Sequence, residues 1–195
     1  MAKIPPFDLL EIDANEDDSA DFSGLANKNL FTVCPYSTIP KEDWEPVSLI
    51  NPDEKRGPWI AGGACIRWFQ GIPINPNVDI DIFCRNKEQA NKVINQIKSA
   101  KRYRVLADTD NAVTIQHSDS SSSKSWLLQV IVVHFFDKPQ DIIDKFDLSV
   151  CQIVTAGDAW TLGKTTVHDI IHRILRFVNG VKPDYIKRLV KYWTY

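Results

Sequence analysis

Long apolar runs are missing from this 195-residue chain. The longest, residues 126–136, is interrupted and far short of the ~20 residues a membrane helix requires. Residues 1–10 lack the basic start and apolar core of a secretory leader, which predicts a soluble protein of the cytoplasm. Cysteine is scarce and scattered. Cys34, Cys65, Cys84 and Cys151 form no CxxC pair, and three of them sit among apolar neighbours. That pattern points to reduced, buried thiols and away from a disulfide framework or a zinc site. Basic residues are nearly absent from the beginning of the chain: residues 1–54 hold 3 Lys/Arg against 12 Asp/Glu, a balance of −9. Residues 55–163 balance at +2 and residues 164–195 at +5, so the chain begins acidic and ends basic although its net charge is only −2. Such a small net charge argues against a broad duplex-binding surface, which needs many cationic phosphate contacts.

What is present is globular. A hydrophobic content of 44% and a charged content of 25% exclude a mainly disordered chain and predict one domain with a small appendage at most. Residues 8–21 carry seven acids and no bases, which reads as a solvated arm or as a phosphate mimic lying over a basic groove. Prolines at 35, 40, 46, 52 and 58 punctuate the next stretch, leaving room for one short helix over 41–50. We therefore divide the chain into an acidic, Pro-punctuated arm and cover segment (1–57), a core (58–163) and a basic helical pair closing a cleft (164–195).

The core alternates strands and helices. Residues 59–61 suit a short buried strand, and 64–70 a short helix ended by Gly71. Residues 78–83 alternate strictly at first and predict a strand, and Asn86 is placed to cap a helix over 87–99. Residues 102–107 and 112–116 read as a strand pair, 118–125 as a serine-rich loop, and 126–136 as a long strand. A capping-box-like Asp137-Lys138-Pro139-Gln140 opens a helix through Lys145. A further strand is expected over 147–155, then amphipathic helices over 166–178 and 183–193.

The most informative segment is Gly62-Gly63 followed by Asp79-Ile80-Asp81. Successive strand residues point to opposite faces, so Asp79 and Asp81 project together while Val78, Ile80 and Ile82 face the core. Two carboxylates side by side repel one another. The arrangement becomes favourable when a hard divalent cation, Mg²⁺ or Mn²⁺, sits between them. A Gly-Gly turn ahead of a helix adds backbone N–H groups that phosphate oxygens can approach closely. Alone, either feature reads more simply as an exposed strand or a plain turn; their order and spacing favour a site.

Together, Trp59-Ile60-Ala61-Gly62-Gly63 and Val78-Asp79-Ile80-Asp81-Ile82-Phe83 resemble the signature of the nucleotidyltransferase fold, the DNA polymerase β-like superfamily. Residues 146–152 and 188–192 resemble small viral or phage-encoded members. The resemblance implies an α+β fold, a mixed β-sheet flanked by helices and followed by a C-terminal helical pair. It implies a Mg²⁺- or Mn²⁺-dependent enzyme that moves NMP from an NTP to an RNA, protein or small-molecule hydroxyl, in the host cytoplasm if viral. Residue by residue, Gly62 and Gly63 would cradle the triphosphate, and Asp79 and Asp81 would hold the two metal ions the family uses and act in catalysis.

A third carboxylate normally comes from a later strand and readies the acceptor oxygen. The first long strand after the hairpin offers only Gln129, a poor metal ligand, so Asp147 is the preferred third metal-binding and catalytic acid. A capping or turn-forming role for Asp147 is the alternative. Without it the protein would be a degenerate member that binds nucleotide, nucleic acid or a host protein without chemistry. Arg67, Arg188 and Lys191 are the candidate nucleotide-binding cations, with Tyr192 and Trp193 beside the last two; a solvated helix rim explains them as simply. His168 and His172 lie one helical turn apart, a spacing zinc can use, although a structural pair is the simpler reading. His117 and His134 have no partner visible in the sequence.

Overall fold

A computed structural model describes residues 39–75, 78–117, 125–157 and 159–179, together with Lys187, Val190 and Tyr192. The acidic arm, most of the serine loop, and Arg188 and Lys191 lie outside the described residues.

A 3-10 turn, Lys41–Asp43, runs into helix α1, Trp44–Ile50. Strand β1, Trp59–Ala61, is buried along its whole length, as expected for an apolar triplet at the middle of a sheet. Helix α2, Gly63–Phe69, begins at the second glycine. It stops at Gly71, whose φ of +68° closes a Schellman motif: Gly71 N–H donates to the Trp68 carbonyl and Ile72 N–H to Arg67. Strand β2, Asp79–Cys84, alternates half-buried and buried residues, and helix α3, Lys87–Ser99, is capped by Asn86, which accepts from Gln89 N–H at 2.8 Å. Strands β3 (Tyr103–Asp108), β4 (Ala112–His117) and β5 (Leu127–Phe135) follow, then helix α4, Pro139–Ile143. Strands β6 (Ile153–Thr155) and β7 (Trp160–Leu162) precede helix α5, Thr166–Ile171.

The seven strands form one mixed sheet in the order β3-β4-β5-β2-β1-β6-β7. Among the described strands only β2 and β5 run parallel, and α3 with the β3–β4 hairpin makes the long return that a parallel pair requires. Ile60, Ile80, Ile82, Ile115, Leu128 and Val130 point from the sheet into the main core, where they meet Cys65 and Trp68 of α2 and Val93 and Ile97 of α3. A smaller cluster lies on the opposite face, where Ile142 and Ile143 of α4 cover Trp59, Ala61 and Val154. No described helix is long and apolar enough to cross a membrane.

Three local expectations are corrected. Residues 147–152 are not strand: Leu148 makes an isolated bridge to Phe177, Ser149–Cys151 is a 3-10 turn, and the strand starts only at Ile153, with pairing to β1 through Val154 and Thr155. The helix from Thr166 ends at Ile171 and does not continue to Val178. Arg173 takes a left-handed φ of +54°, which turns the chain back so that Ser149 and Val178 N–H groups pair with the Arg176 and Asp147 carbonyls. Finally, α4 has Lys138 at its N-cap position with no side-chain cap, and Asp137 faces Arg85 at 3.5 Å instead.

Candidate functional site

The geometry follows from the register of β1, β2 and β5. Ala61 of β1 lies opposite Asp81, and Gln129 of β5 lies beside Asp81 on the other flank. Asp79 and Asp81 are half-buried, whereas Ile80 and Ile82 are fully buried, so both carboxylates project from the face opposite α2 and α3. Gly62 follows Ala61 directly, with φ +80° and ψ −150°, a conformation essentially reserved for glycine. A Cβ at Gly62 would stand 2.5 Å from Asp81 Oδ2, so the absent side chain is what lets the glycine turn lie against the carboxylate. Gly63 is buried as the first residue of α2. Behind this turn the Cys65 thiol donates to the Ile60 carbonyl at 3.3 Å; burial pushes the thiol well above its ordinary range, and the Asp81 charge adds to that.

The face continues away from Asp81 as a row of polar side chains. Gln129 Nε2 reaches Thr114 Oγ1 of β4 at 3.5 Å, the limit of a hydrogen bond. Gln116, two residues along β4, accepts from Arg104 Nη2 at 3.0 Å and donates to Ser125 Oγ at 3.2 Å.

Asp147 lies in the segment after α4. It is 1% exposed in the turn between α4 and the Ser149–Cys151 segment, and its carbonyl accepts from Val178 N–H at 2.8 Å. Among the described residues no three His, Cys, Asp or Glu side chains converge closely enough to hold a metal ion, so Asp147 is not gathered with Asp79 and Asp81. Arg67 sits in the last turn of α2, away from the glycines, and its Nε donates to the Pro73 carbonyl at 3.0 Å. The His168 and His172 rings lie tilted at 40° with centroids 4.4 Å apart, with no third ligand among the described residues.

The model of the Gabija anti-defense 2 family protein matches residues 28–173, three quarters of the chain and all of the sheet. The chain belongs to the Gabija anti-defense 2 family. Solved structures place its fold. It resembles a CCA-adding enzyme in complex with CTP, at 12% identity and a TM-score of 0.58, over 79% of this chain and 39% of that one. It also resembles the Thermotoga maritima CCA-adding enzyme complexed with tRNA, at 12% identity and a TM-score of 0.52, over 82% of this chain and 39% of that one. The fold is therefore nucleotidyltransferase-like, and this family member spans about two fifths of the length of those enzymes. Curated proteins give no match.

Two buried acids that organise the fold carry no sequence signal of their own. Asp43 is 1% exposed and accepts from Trp68 Nε1 at 2.8 Å, Ile74 N–H at 2.9 Å and Trp126 Nε1 at 3.3 Å. It thereby joins the end of α2, the loop leading to β2 and the start of β5. Asp169, fully buried, accepts from Ser149 Oγ, from Thr165 Oγ1 at 3.0 Å and from Arg176 Nε and Nη2 at 3.0 and 3.1 Å, with His168 Nδ1 also at 3.1 Å. Burial alone would raise its carboxyl, but these donors outweigh burial and hold it well below the usual carboxylate range. His117, lacking a partner in the sequence, is buried between Tyr103 and Trp126, with Glu45 Oε1 at 3.7 Å.

Proposed function

We propose that this family member is a divalent-cation-dependent nucleotidyltransferase that moves NMP from an NTP to an acceptor, and that it does so in countering Gabija defence as a phage or viral protein in the host cytoplasm. The carrying observation is Gly62, with no room for a Cβ, packed against Asp81 on the strand that also presents Asp79. A turn of that kind allows a triphosphate to approach the backbone while the two carboxylates face it.

The donor set fits one Mg²⁺ or Mn²⁺: two hard oxygen ligands on one face, flanked by the small Ala61. Asp79 and Asp81 would hold the ion, which supplies charge neutralisation to the triphosphate when bound. The chain's own work is positioning. Gly62 and Gly63 admit the phosphates, and the apolar residues Ile80 and Ile82 fix the carboxylates by anchoring β2 in the core. Arg188 and Lys191, in the basic C-terminal segment, are assigned to the triphosphate or an RNA acceptor, and Arg67 to keeping the loop before β2 in place. Asp147 acts as a structural residue in the turn that meets residues 176–178.

A second reading is a nucleotide- or partner-binding protein without chemistry. It is favoured by one observation, a carboxamide at Gln129 beside Asp81. Incubation with each α-labelled NTP, Mg²⁺, and RNA or protein acceptors separates the two. Transfer that Asp79→Asn and Asp81→Asn each reduce by about a hundredfold or more supports the enzyme. Inhibition of the Gabija system that survives both substitutions supports the binding protein.

A further inference from the structure

Resting on the nucleotidyltransferase reading, we propose that Gln129 makes this a single-cation site, and that the acceptor arrives already ionised, as the terminal phosphate of a nucleic-acid strand. Gln129 occupies the position on β5 directly beside Asp81, on the one strand that runs parallel to β2. A neutral carboxamide there supplies neither the negative charge that attracts a second divalent ion nor a base that could take a proton from a sugar or side-chain hydroxyl. Asp147 does not replace it, being buried in the turn after α4.

An alcohol attacks an α-phosphorus poorly until its proton is removed, whereas a phosphate monoester is largely ionised at neutral pH, its second pKa lying near about 6. Gln129 Nε2 is a hydrogen-bond donor and suits an oxyanion. The row beyond it, Thr114, Gln116 and the exposed guanidinium of Arg104, extends the donors and ends in a cation. That row suits a strand with successive phosphates better than a lone carboxylate. In the step, an oxygen of the terminal phosphate forms a bond to the α-phosphorus of the NTP. The bond from that phosphorus to the α,β-bridging oxygen breaks, and pyrophosphate leaves with the electron pair. The product is a phosphoanhydride-linked NMP, and no proton has to be removed by the protein.

Two measurements on the full chain test this. The first counts Mn²⁺ by electron paramagnetic resonance, with a non-hydrolysable α,β-methylene NTP, for wild type, Gln129→Asp and Asp79→Asn/Asp81→Asn. One Mn²⁺ per bound nucleotide is expected in wild type and two in Gln129→Asp; two in wild type overturns the inference. The second offers one oligoribonucleotide with terminal phosphates or with hydroxyls at both ends, plus α-labelled NTP. Label is expected only on the phosphorylated form, with a rate that levels off above about pH 7. Gln129→Asp should raise labelling of the hydroxyl form by about a hundredfold. Preferential labelling of hydroxyl ends by wild type, label on neither oligonucleotide, or hydroxylamine-released label on protein carboxylates would each overturn the acceptor assignment. If no Mn²⁺ binds with nucleotide even in wild type, the nucleotidyltransferase reading itself fails. One Mn²⁺ that disappears in Asp79→Asn/Asp81→Asn keeps that reading whatever the acceptor result.

Discussion

At the scale of the residue, Gly62 is the most constrained position around the site. Its backbone conformation costs a residue with a side chain roughly 1–3 kcal/mol, and its missing Cβ leaves the space that Asp81 Oδ2 occupies. Gly62→Ala should therefore lower the melting temperature and also displace Asp81. Gly71→Ala separates the two effects, because Gly71 has φ +68° but no atom within 4 Å of its would-be Cβ. It should cost about 1–2 kcal/mol from strain alone and leave metal-dependent nucleotide binding intact. Calorimetric melting with and without Mg²⁺ and NTP checks both variants; equal loss of binding in the two would show that the contact with Asp81 is unimportant. The glycines and aspartates were legible in the sequence because their signal is local, a strict alternation next to a turn. The strand that offers Gln129 was legible too, but not the register that seats it beside Asp81, which pairs residues 48 positions apart.

At the scale of the element, the sheet and helices were legible wherever periodicity was strong. Strand β2 and helix α3 follow the expected pattern because alternation and an apolar stripe each match a buried face. Residues 147–152 and 172–178 departed from it for one shared reason. Arg176 and Ser149 both reach Asp169, and the two segments zip together through Leu148 and Phe177, so tertiary bonds displace the strand and the longer helix that local propensity favours. The histidines at 168 and 172 have a zinc-compatible spacing, but the acid between them organises the region. Asp43 shows the same blindness: its partners lie 25, 31 and 83 residues away. Asp43→Ala leaves two buried indole N–H groups without that acceptor and should destabilise the protein by roughly 2–4 kcal/mol. It should also loosen α2 against β5. Denaturant unfolding gives the first and amide hydrogen exchange at the start of β5 the second; unchanged exchange there would remove Asp43 as the joint between them.

At the scale of the whole molecule, acid stability should follow Asp169. Its carboxyl is held below the unfolded value of about 3.9, so its contribution is fully present above that pH and disappears as pH falls through the lower native value. Asp169→Asn should cost roughly 1–3 kcal/mol at neutral pH and flatten the loss of stability below about pH 4. Parallel acid-dependent slopes for wild type and variant would contradict this. Two assemblies of polar side chains are built on the sheet and its flanking segments. One comprises the glycine turn, the paired aspartates and the polar row; the other is the Asp169 assembly that ties the chain after α5 to the core.

On the proposed function, Gly62, Asp79 and Asp81 together bind a cation-loaded NTP. Thermal melting of wild type and Asp79→Asn/Asp81→Asn with each NTP, in Mg²⁺ or in EDTA, tests it most directly, because a ligand of the native state alone adds about 2.7 kcal/mol at a hundredfold excess over its Kd. A rise of several degrees is expected for at least one NTP in wild type with Mg²⁺, absent in EDTA and in the variant. An equal rise in the double variant, or no rise in wild type with any NTP, would contradict it.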